Sequence, residues 1–183
     1  MANQDFVLLS GTANLPLAEA VGTLLKTKVH QTVSHFADGE ARVIIPENLR
    51  KKEVFILQPT CPPVDSNLME LLLIIDAARR ASASEITAVI PYFGYSRQDR
   101  KEKPRVPISA ALVADLIGHS GAHRIVTIDI HSQTEQGFVK CPWDNLYASY
   151  TLLPVLKRKY HKNLIVASPD KNGVAMATFY AEK

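Results

Sequence analysis

Three polar segments of the sequence carry side chains of the types that bind phosphates or metal ions. Residues 91–101 read PYFGYSRQDRK, residues 129–132 read DIHS, and residues 169–170 read PD. Each segment follows a short run rich in Val, Ile or Leu, which is typical of a buried strand. In an open parallel sheet, ligands bind beyond the carboxyl ends of the strands. The sequence therefore predicts that the three segments meet at one edge of a sheet.

Asp129 and His131 are candidates for binding a divalent cation. They are two residues apart at the end of a predicted strand, and alternate side chains of a strand point to the same side. A carboxylate and an imidazole on one side could bind a metal ion or a phosphate-bearing substrate; the alternative is that His131 only ends the strand. Asp170 follows another predicted strand, and its alternative role is to cap the next helix. Spacing alone leaves these alternatives open.

A run of positive charge begins at Arg97. Arg97, Arg100 and Lys101 lie on one predicted loop, which also contains Gln98 and Asp99. A guanidinium group matches the oxygens of a phosphate in a paired contact, so the loop could neutralise phosphates. The alternative is a solvated surface loop, which is what runs of charge usually are. Most of the aromatic residues just before this loop are predicted to pack in the core.

Residues 36–40, with the sequence FADGE, predict a turn between two short strands. Gly39 permits the backbone geometry of such a turn. Asp38 and Glu40 could bind an amino or hydroxyl group of a ligand, or they could be ordinary turn acids. Taken alone, this segment is a weak signal of function.

The elements that would position these segments alternate between strand and helix patterns. Strands are predicted at residues 6–10, 42–45, 53–58, 86–90, 125–130 and 164–167, and helices at 15–25, 67–83, 107–120 and from about 173. Asn67 and Glu70 form a capping pattern at the start of the second helix. Apolar strands without strict polar alternation indicate a parallel sheet covered on both faces. The predicted fold class is α/β, a doubly wound parallel sheet with helices on both faces, as a single domain over residues 1–183.

Composition and charge argue against several classes of protein. The chain has 46% hydrophobic and 21% charged residues and a net charge of +3, with basic residues interspersed among acids, so no nucleic-acid partner is expected. No apolar run is long enough to cross a bilayer, so no membrane partner is expected. Cys61 and Cys141 lack metal-ligand spacing, and no export signal is evident, which predicts a reduced, cytoplasmic protein.

The longer motifs resemble one known family. The strings FADGEARVIIPENLR, NLMELLLIIDAARRASASEITAVIPYFGYSRQDRK, RVPISAALVADLIGHSGAHRIVTIDIHSQTEQGF, PWDNLYA and VASPD occur in the order and approximate spacing of ribose-phosphate pyrophosphokinases (PRPP synthetases). The resemblance covers almost the entire chain, and PYFGYSRQD and NLMELL are long enough to be specific. It is to the N-terminal half of the family only, and it implies a phosphoribosyltransferase-like N-terminal domain.

The resemblance implies an ATP site. In the family, the residue that matches Phe36 stacks on the adenine, and the acids of the same turn lie against the base and ribose. The residues that match Arg97 and Gln98 contact ATP, and a neighbouring subunit helps to complete the pocket. The ATP-binding residues implied in this way are Phe36, Asp38, Gly39, Glu40, Arg97, Gln98, Asp99 and Lys101.

The resemblance also implies a Mg²⁺ site. His131 matches a histidine at the magnesium–ATP site, Asp129 is its neighbour, and Asp170 matches a second acid associated with divalent cation. Because Mg²⁺ prefers oxygen ligands, a contact of His131 with a phosphate or with a metal-bound water is an open alternative.

The family's enzyme, ribose-phosphate diphosphokinase, transfers pyrophosphate from ATP to ribose 5-phosphate and releases AMP. Its members are two similar α/β domains in tandem, and this chain matches the first of them. The resemblance implies that the catalytic lysine and the loop that binds ribose 5-phosphate lie beyond Lys183, the last residue of the sequence. No catalytic lysine is therefore expected within residues 1–183.

Without those groups, the resemblance implies a chain that binds ATP or ADP, needs a second domain to bind ribose 5-phosphate, and is inactive alone. The alternative is a non-catalytic regulatory or nucleotide-binding subunit. A homo-oligomer is expected, because helix 67–83 is apolar nearly all round.

Several positions depart from the family pattern, including residues 174–177, which read VAMA where the family has basic residues. Lys140 replaces a common acid, and Lys171 and Asn172 stand where the family has a small or apolar residue and a glycine. The added lysines could help to bind anions or could weaken cation binding, and the sequence leaves both effects open.

Overall fold

The computed structural model describes residues 6–160 and 164–183. The chain divides into two compact units, the first running to Leu146 and the second starting at Tyr147. The prediction of a single domain over residues 1–183 stays a prediction.

The first unit is built on a six-stranded parallel sheet. The strands of this unit, including two that lie outside the sheet, are in chain order β1 (Phe6–Ser10), β2 (Val29–Gln31), β3 (Val33–His35), β4 (Ala41–Val43), β5 (Glu53–Leu57), β6 (Glu85–Ile90), β7 (Arg124–Ile128) and β8 (Trp143–Leu146). The sheet order is β2-β1-β5-β6-β7-β8, and every neighbouring pair is parallel. Strands β3 and β4 form a separate antiparallel hairpin, which confirms the predicted turn over residues 36–40.

Helices cover both faces of the sheet. They are α1 (Leu15–Leu25), α2 (Val64–Arg80) and α3 (Ser109–Ser120), and a 3-10 helix spans Gln133–Phe138. Successive residues of a strand face opposite sides. On β1, Val7 and Leu9 pack into the core that contains Ile74 of α2, whereas Leu8 packs against Ala18 of α1. The doubly wound α/β fold is therefore confirmed.

The second unit contains α4 (Ser149–Lys159), a 3-10 turn (Lys171–Gly173) and α5 (Val174–Ala181). The predicted strand at residues 164–167 is wrong, because these residues have no regular structure and Ile165 is 88% exposed. The apolar run has no neighbouring strand to pair with among the described residues. Across the described chain, no helix has the length and apolarity that crossing a membrane requires.

Helix α2 begins earlier than predicted. Pro63 is its N-cap residue and forms no side-chain cap, so the prediction that Asn67 caps the helix is wrong. Asn67 lies inside the first turns and is 4% exposed, and its side-chain amide donates to the carbonyl of Cys61 at 2.7 Å. Several other boundaries also differ: α2 ends before residue 83, β4 before residue 45 and β7 before residue 129, and α3 starts after residue 107.

Glu70 is a buried acceptor rather than part of a cap. It is 2% exposed, and its carboxylate accepts hydrogen bonds from the amide and hydroxyl of Thr12 at 2.9 and 2.7 Å. It also accepts from the amide of Gln58 at 2.9 Å, and Nε2 of His35 lies 3.5 Å away. One side chain of α2 therefore joins the segments that follow β1 and β5 to the hairpin.

We expect Glu70→Ala to lower the free energy of unfolding by roughly 2–4 kcal/mol, because Gln58 and Thr12 lose a charged acceptor in a buried position. The control is Asp76→Ala on the same helix, whose carboxylate pairs at the surface with Arg79 and Arg80. That change should have a much smaller effect, because water screens ion pairs at a protein surface. Urea denaturation measures both, and equal losses would contradict the assignment of Glu70 as a structural acceptor.

Candidate functional site

The strongest candidate site lies where β6 and β7 end. The two strands are parallel neighbours in which Ile90 pairs with Thr127, so the segments that follow them leave the sheet side by side. Together with the start of α2 they border an open cavity of about 540 Å³. The cavity is lined by Val64, Asp65, Tyr92, Phe93, Gly94, Tyr95, Ser96, Arg97, Gln98, Ile128, Asp129, Ile130 and His131.

Asp129 and His131 both line this cavity, although not for the reason that their spacing suggested. Strand β7 ends at Ile128, and Asp129 has a left-handed backbone with φ of 47°, so the alternation of strand side chains does not extend to them. The backbone amide of Asp129 donates to the carbonyl of Leu146 on β8 at 2.9 Å. The turn at Asp129, rather than strand geometry, brings the acid and the imidazole to one wall.

Tyr95 is the second residue of this cavity with a left-handed backbone, at φ of 65°. Non-glycine residues adopt this conformation at a cost and are concentrated at functional sites. The Tyr95 hydroxyl donates to the carboxylate of Asp65, and this hydrogen bond raises the pKa of the phenol. Asp65 lies in the first turn of α2, where a negative charge is favourable. Sequence reasoning missed both residues, because it started the helix after Asp65 and assigned most of the aromatics to packing.

Arg97 and Gln98 line the same cavity on the loop after β6. The Gln98 side-chain oxygen accepts from the Ser109 hydroxyl at 2.7 Å, and the Gln98 amide donates to the carbonyl of Tyr95 at 2.8 Å. The Arg97 side chain is exposed and forms no ion pair within the described residues. The cavity thus combines a cation available to a ligand with the carboxylate of Asp129.

Other predicted site residues lie outside this cavity. Asp99 is half-buried and Lys101 is exposed, and neither lines it. Asp170 belongs to the second unit, where its carboxylate accepts from the amide of Gly173 at 3.2 Å. That contact caps the 3-10 turn Lys171–Gly173, whereas α5, which follows it, has Gly173 as its N-cap residue and no side-chain cap. A role for Asp170 beside Asp129 stays a prediction.

Lys183, beyond which the catalytic lysine was predicted to lie, also belongs to the second unit. It is exposed, and its ammonium lies 5.6 Å from the centroid of the Phe179 ring. The position of the catalytic lysine after this residue stays a prediction.

The hairpin residues border a different groove. The turn is closed by a hydrogen bond from the Phe36 amide to the carbonyl of Glu40 at 2.9 Å, and Gly39 has a φ of 92°. The Asp38 carboxylate accepts from the Glu40 amide at 3.1 Å. The Phe36 ring is 50% exposed, and the guanidinium of Arg42 lies 5.6 Å from its centroid.

Gly39 and Glu40 line a groove of about 500 Å³ against α2, which Asp65 also borders. Phe36 and Asp38 line neither this groove nor the cavity. The first turn of α2 therefore separates the two candidate ligand surfaces.

Metal binding can be judged from the available donors. Within the described residues, no group of three or more His, Cys, Asp or Glu side chains could hold a metal ion. The cavity itself offers the carboxylates of Asp65 and Asp129 and the imidazole of His131, and the Asp65 carboxylate already accepts from Tyr95. A cation bound there by Asp129 would need further oxygen ligands from a substrate or water.

Fold and site together define an α/β protein with an open parallel sheet and charged groups at its carboxyl edge, where such proteins bind ligands. Residues 6–121 match the family model described as the N-terminal domain of ribose phosphate pyrophosphokinase. The match covers more than half of the chain, and the chain belongs to this family.

Several known proteins are similar to the chain. It is 50% identical to a ribose-phosphate pyrophosphokinase of Helicobacter hepaticus over 98% of its own length and 59% of that protein. The ribose-phosphate pyrophosphokinase of Wolinella succinogenes is 55% identical over 83% of this chain and 49% of that protein. The crystal structure of phosphoribosylpyrophosphate synthetase from Mycobacterium smegmatis has a TM-score of 0.92 at 40% identity, covering 97% of this chain and 60% of that one. The chain therefore spans about half to three-fifths of the length of these relatives.

We expect Gly94→Ala to destabilise the loop that forms the cavity. A Cβ atom at Gly94 would lie 2.8 Å from the Thr60 carbonyl oxygen and 2.7 Å from a methyl group of Val64, so the backbone must move. Overpacking of this kind typically costs about 1–3 kcal/mol. The control is Gly137→Ala, where a Cβ atom meets nothing within 4 Å. Urea denaturation should separate the two variants, and a Gly94→Ala variant as stable as the control would contradict the tight approach.

Proposed function

We propose that the chain is the ATP-binding part of a ribose-phosphate diphosphokinase, which transfers pyrophosphate from ATP to ribose 5-phosphate in nucleotide biosynthesis. The observation that carries this proposal is the meeting of Arg97, Gln98, Asp129 and His131 in one cavity. Family membership supports the reaction class, because the relatives are pyrophosphokinases. The 183 residues alone are proposed to bind nucleotide without turnover, since the resemblance assigns the sugar-phosphate loop and the catalytic lysine to the part of the relatives that this chain does not cover.

The cavity is proposed to hold the phosphate groups of ATP or ADP. Arg97 supplies a guanidinium that can contact two phosphate oxygens at once. Its neighbour Gln98 accepts a hydrogen bond from Ser109 at the start of α3, so this end of the loop is tied to the helix. Phosphoryl-type transfer depends mainly on positioning and on charge stabilisation, and a loop fixed in this way contributes to both.

Mg²⁺ is proposed as the cofactor, and the donors of the cavity fit an ion that is bound partly by the protein and partly by substrate phosphates and waters. Mg²⁺ is commonly bound by one or two carboxylates, with substrate phosphates and waters completing its shell. Asp129 offers such a carboxylate beside the proposed phosphate position, while His131 suits a phosphate oxygen better than the metal ion. When bound, the ion would neutralise charge on the phosphates. Asp170 is proposed as the second acid on the resemblance alone.

Adenine is proposed to stack on Phe36, whose ring is half exposed at the tip of the hairpin. Asp38 and Glu40 would then lie near the base and ribose. Because Phe36 does not line the phosphate cavity, we propose that the hairpin of a second copy completes each site, as the resemblance implies. A cytoplasmic location is also proposed, since Cys61 and Cys141 are both free thiols.

A homo-oligomer is proposed on the exposed apolar residues of α2 and α3, and not on an α2 that is apolar nearly all round. Most apolar residues of α2 are in the core, where Leu71, Ile74 and Ile75 are 0% exposed. The apolar residues that remain exposed on α2 and its neighbour α3 are Met69, Leu73, Leu112 and Leu116. We expect light scattering at micromolar concentration to give at least a dimer. A clean monomer would contradict this part of the proposal.

The ATP site can be tested by comparing Arg97→Ala with Lys103→Ala. Arg97 lines the cavity, whereas Lys103 is an exposed cation of the same loop that does not. Loss of a charge-assisted contact should weaken MgATP binding about tenfold or more for Arg97→Ala, and Lys103→Ala should bind nearly as the parent does. Titration calorimetry measures both affinities. Equal losses in the two variants, or a parent chain that binds no nucleotide, would sink the proposal.

A further inference from the structure

A buried acid lies directly behind the candidate cavity. Glu135 belongs to the 3-10 helix Gln133–Phe138 and is 0% exposed. Its carboxylate does not line the cavity, and burial raises its pKa. Its Oε2 atom is buried and has no hydrogen-bond partner among the described residues. Burying a carboxylate in this way costs stability, and the contacts of the other oxygen indicate what the acid contributes.

The Oε1 atom of Glu135 accepts two hydrogen bonds. One comes from the Ser96 hydroxyl at 2.7 Å and the other from the Ser132 backbone amide at 2.9 Å. The oxygen of that same Ser96 hydroxyl accepts from the His131 backbone amide at 3.0 Å. Glu135 therefore holds two consecutive amides, that of Ser132 directly and that of His131 through Ser96.

These contacts join the two loops that form the cavity. Ser96 lies on the loop after β6, next to Arg97, and is 8% exposed. His131 and Ser132 lie on the segment after β7. A serine can donate and accept at the same time, and Ser96 uses both capacities here. The backbone on either side of the cavity is thus tied together by one hydroxyl and one carboxylate.

We propose that Glu135 is a positioning residue of the nucleotide site, which acts through Ser96 to fix the backbone of His131 relative to Arg97. The inference rests on the proposed function, because it takes the phosphates of the nucleotide as the ligand of this cavity. A site whose groups are already in place avoids the entropic cost of ordering them when the ligand binds. Removing the acceptor should therefore weaken nucleotide binding, although Glu135 itself lies outside the cavity.

Four variants separate positioning from other roles. Glu135→Gln keeps an oxygen acceptor of similar shape, whereas Glu135→Leu removes it. Ser96→Ala removes the bridging hydroxyl but leaves the carboxylate and its contact with Ser132. The control is Gln133→Leu in the same 3-10 helix, whose exposed side chain bonds only to Gln136 among the described residues.

Amide hydrogen exchange followed by NMR tests the arrangement without any ligand. Exchange should be faster by about tenfold or more at the His131 amide in Ser96→Ala and at the Ser132 amide in Glu135→Leu, because each variant removes the hydrogen-bond acceptor of that amide. Glu135→Gln and Gln133→Leu should exchange as the parent does. The global unfolding temperature of each variant is measured alongside, and if Glu135→Leu does not fold, Ser96→Ala decides the result.

Titration calorimetry with MgATP then tests the consequence for binding. Ser96→Ala and Glu135→Leu should bind about tenfold more weakly, and Glu135→Gln should restore most of the affinity. Folded Ser96→Ala with unchanged exchange and affinity would overturn the inference, and so would Glu135→Gln as weak as Glu135→Leu. A parent chain that binds no nucleotide would sink the proposed function, while the exchange data would still show whether Ser96 and Glu135 fix the loop.

Discussion

The parallel pairing of β6 with β7 is the constraint on which the candidate site depends. Parallel neighbours end at the same edge of a sheet, so the loop that carries Arg97 and the segment that carries Asp129 leave the core side by side. Segments that follow more distant strands would start farther apart, since each intervening strand adds about 4.8 Å. The hydrogen-bonded register between Ile90 and Thr127 sets their separation, and the rest of the site refines it.

Two buried carboxylates hold irregular segments at the carboxyl edge of the sheet, and only Glu135 acts between the two loops of the cavity. Glu70 accepts from Thr12 and Gln58 and joins segments that follow neighbouring strands to helix α2. Glu135 accepts from Ser96 and Ser132 and joins the two loops around the cavity. In both places a backbone amide outside the helices and strands donates to a side-chain carboxylate. Irregular segments at the edge of the sheet are thereby held without extra secondary structure.

Much of the fold could be predicted from the sequence, because β1, β5, β6 and β7 are apolar runs bounded by turn residues. The two edge strands β2 and β8 could not, since they span only Val29–Gln31 and Trp143–Leu146 and are exposed to solvent in part. The run at residues 164–167 has strand composition but no pairing partner among the described residues. Local composition thus predicts central strands well, whereas an edge strand depends on tertiary pairing that short segments do not encode.

The candidate site was predicted in part, for equally physical reasons. The types of Arg97, Asp129 and His131 and their places after strands were sufficient to predict that they meet at one edge of the sheet. The left-handed turn at Asp129 was not predicted from the sequence. The burial of Glu135 was not predicted either, because a glutamate among polar residues is expected to lie at the surface. The resemblance to a family supplied the hairpin residues, and their distance from the cavity emerged only from the structure.

Helix α2 also determines how stiff one wall of the cavity is. Its 17 residues make a rod of about 25 Å, and Ile74 and Ile75 fix its inner face in the core. Its first turn, which includes Asp65, is the partition between the cavity and the hairpin groove, and the rigid rod behind it makes that partition stiff. Any widening of the cavity would therefore come from the loop after β6 or from the segment after β7 rather than from α2.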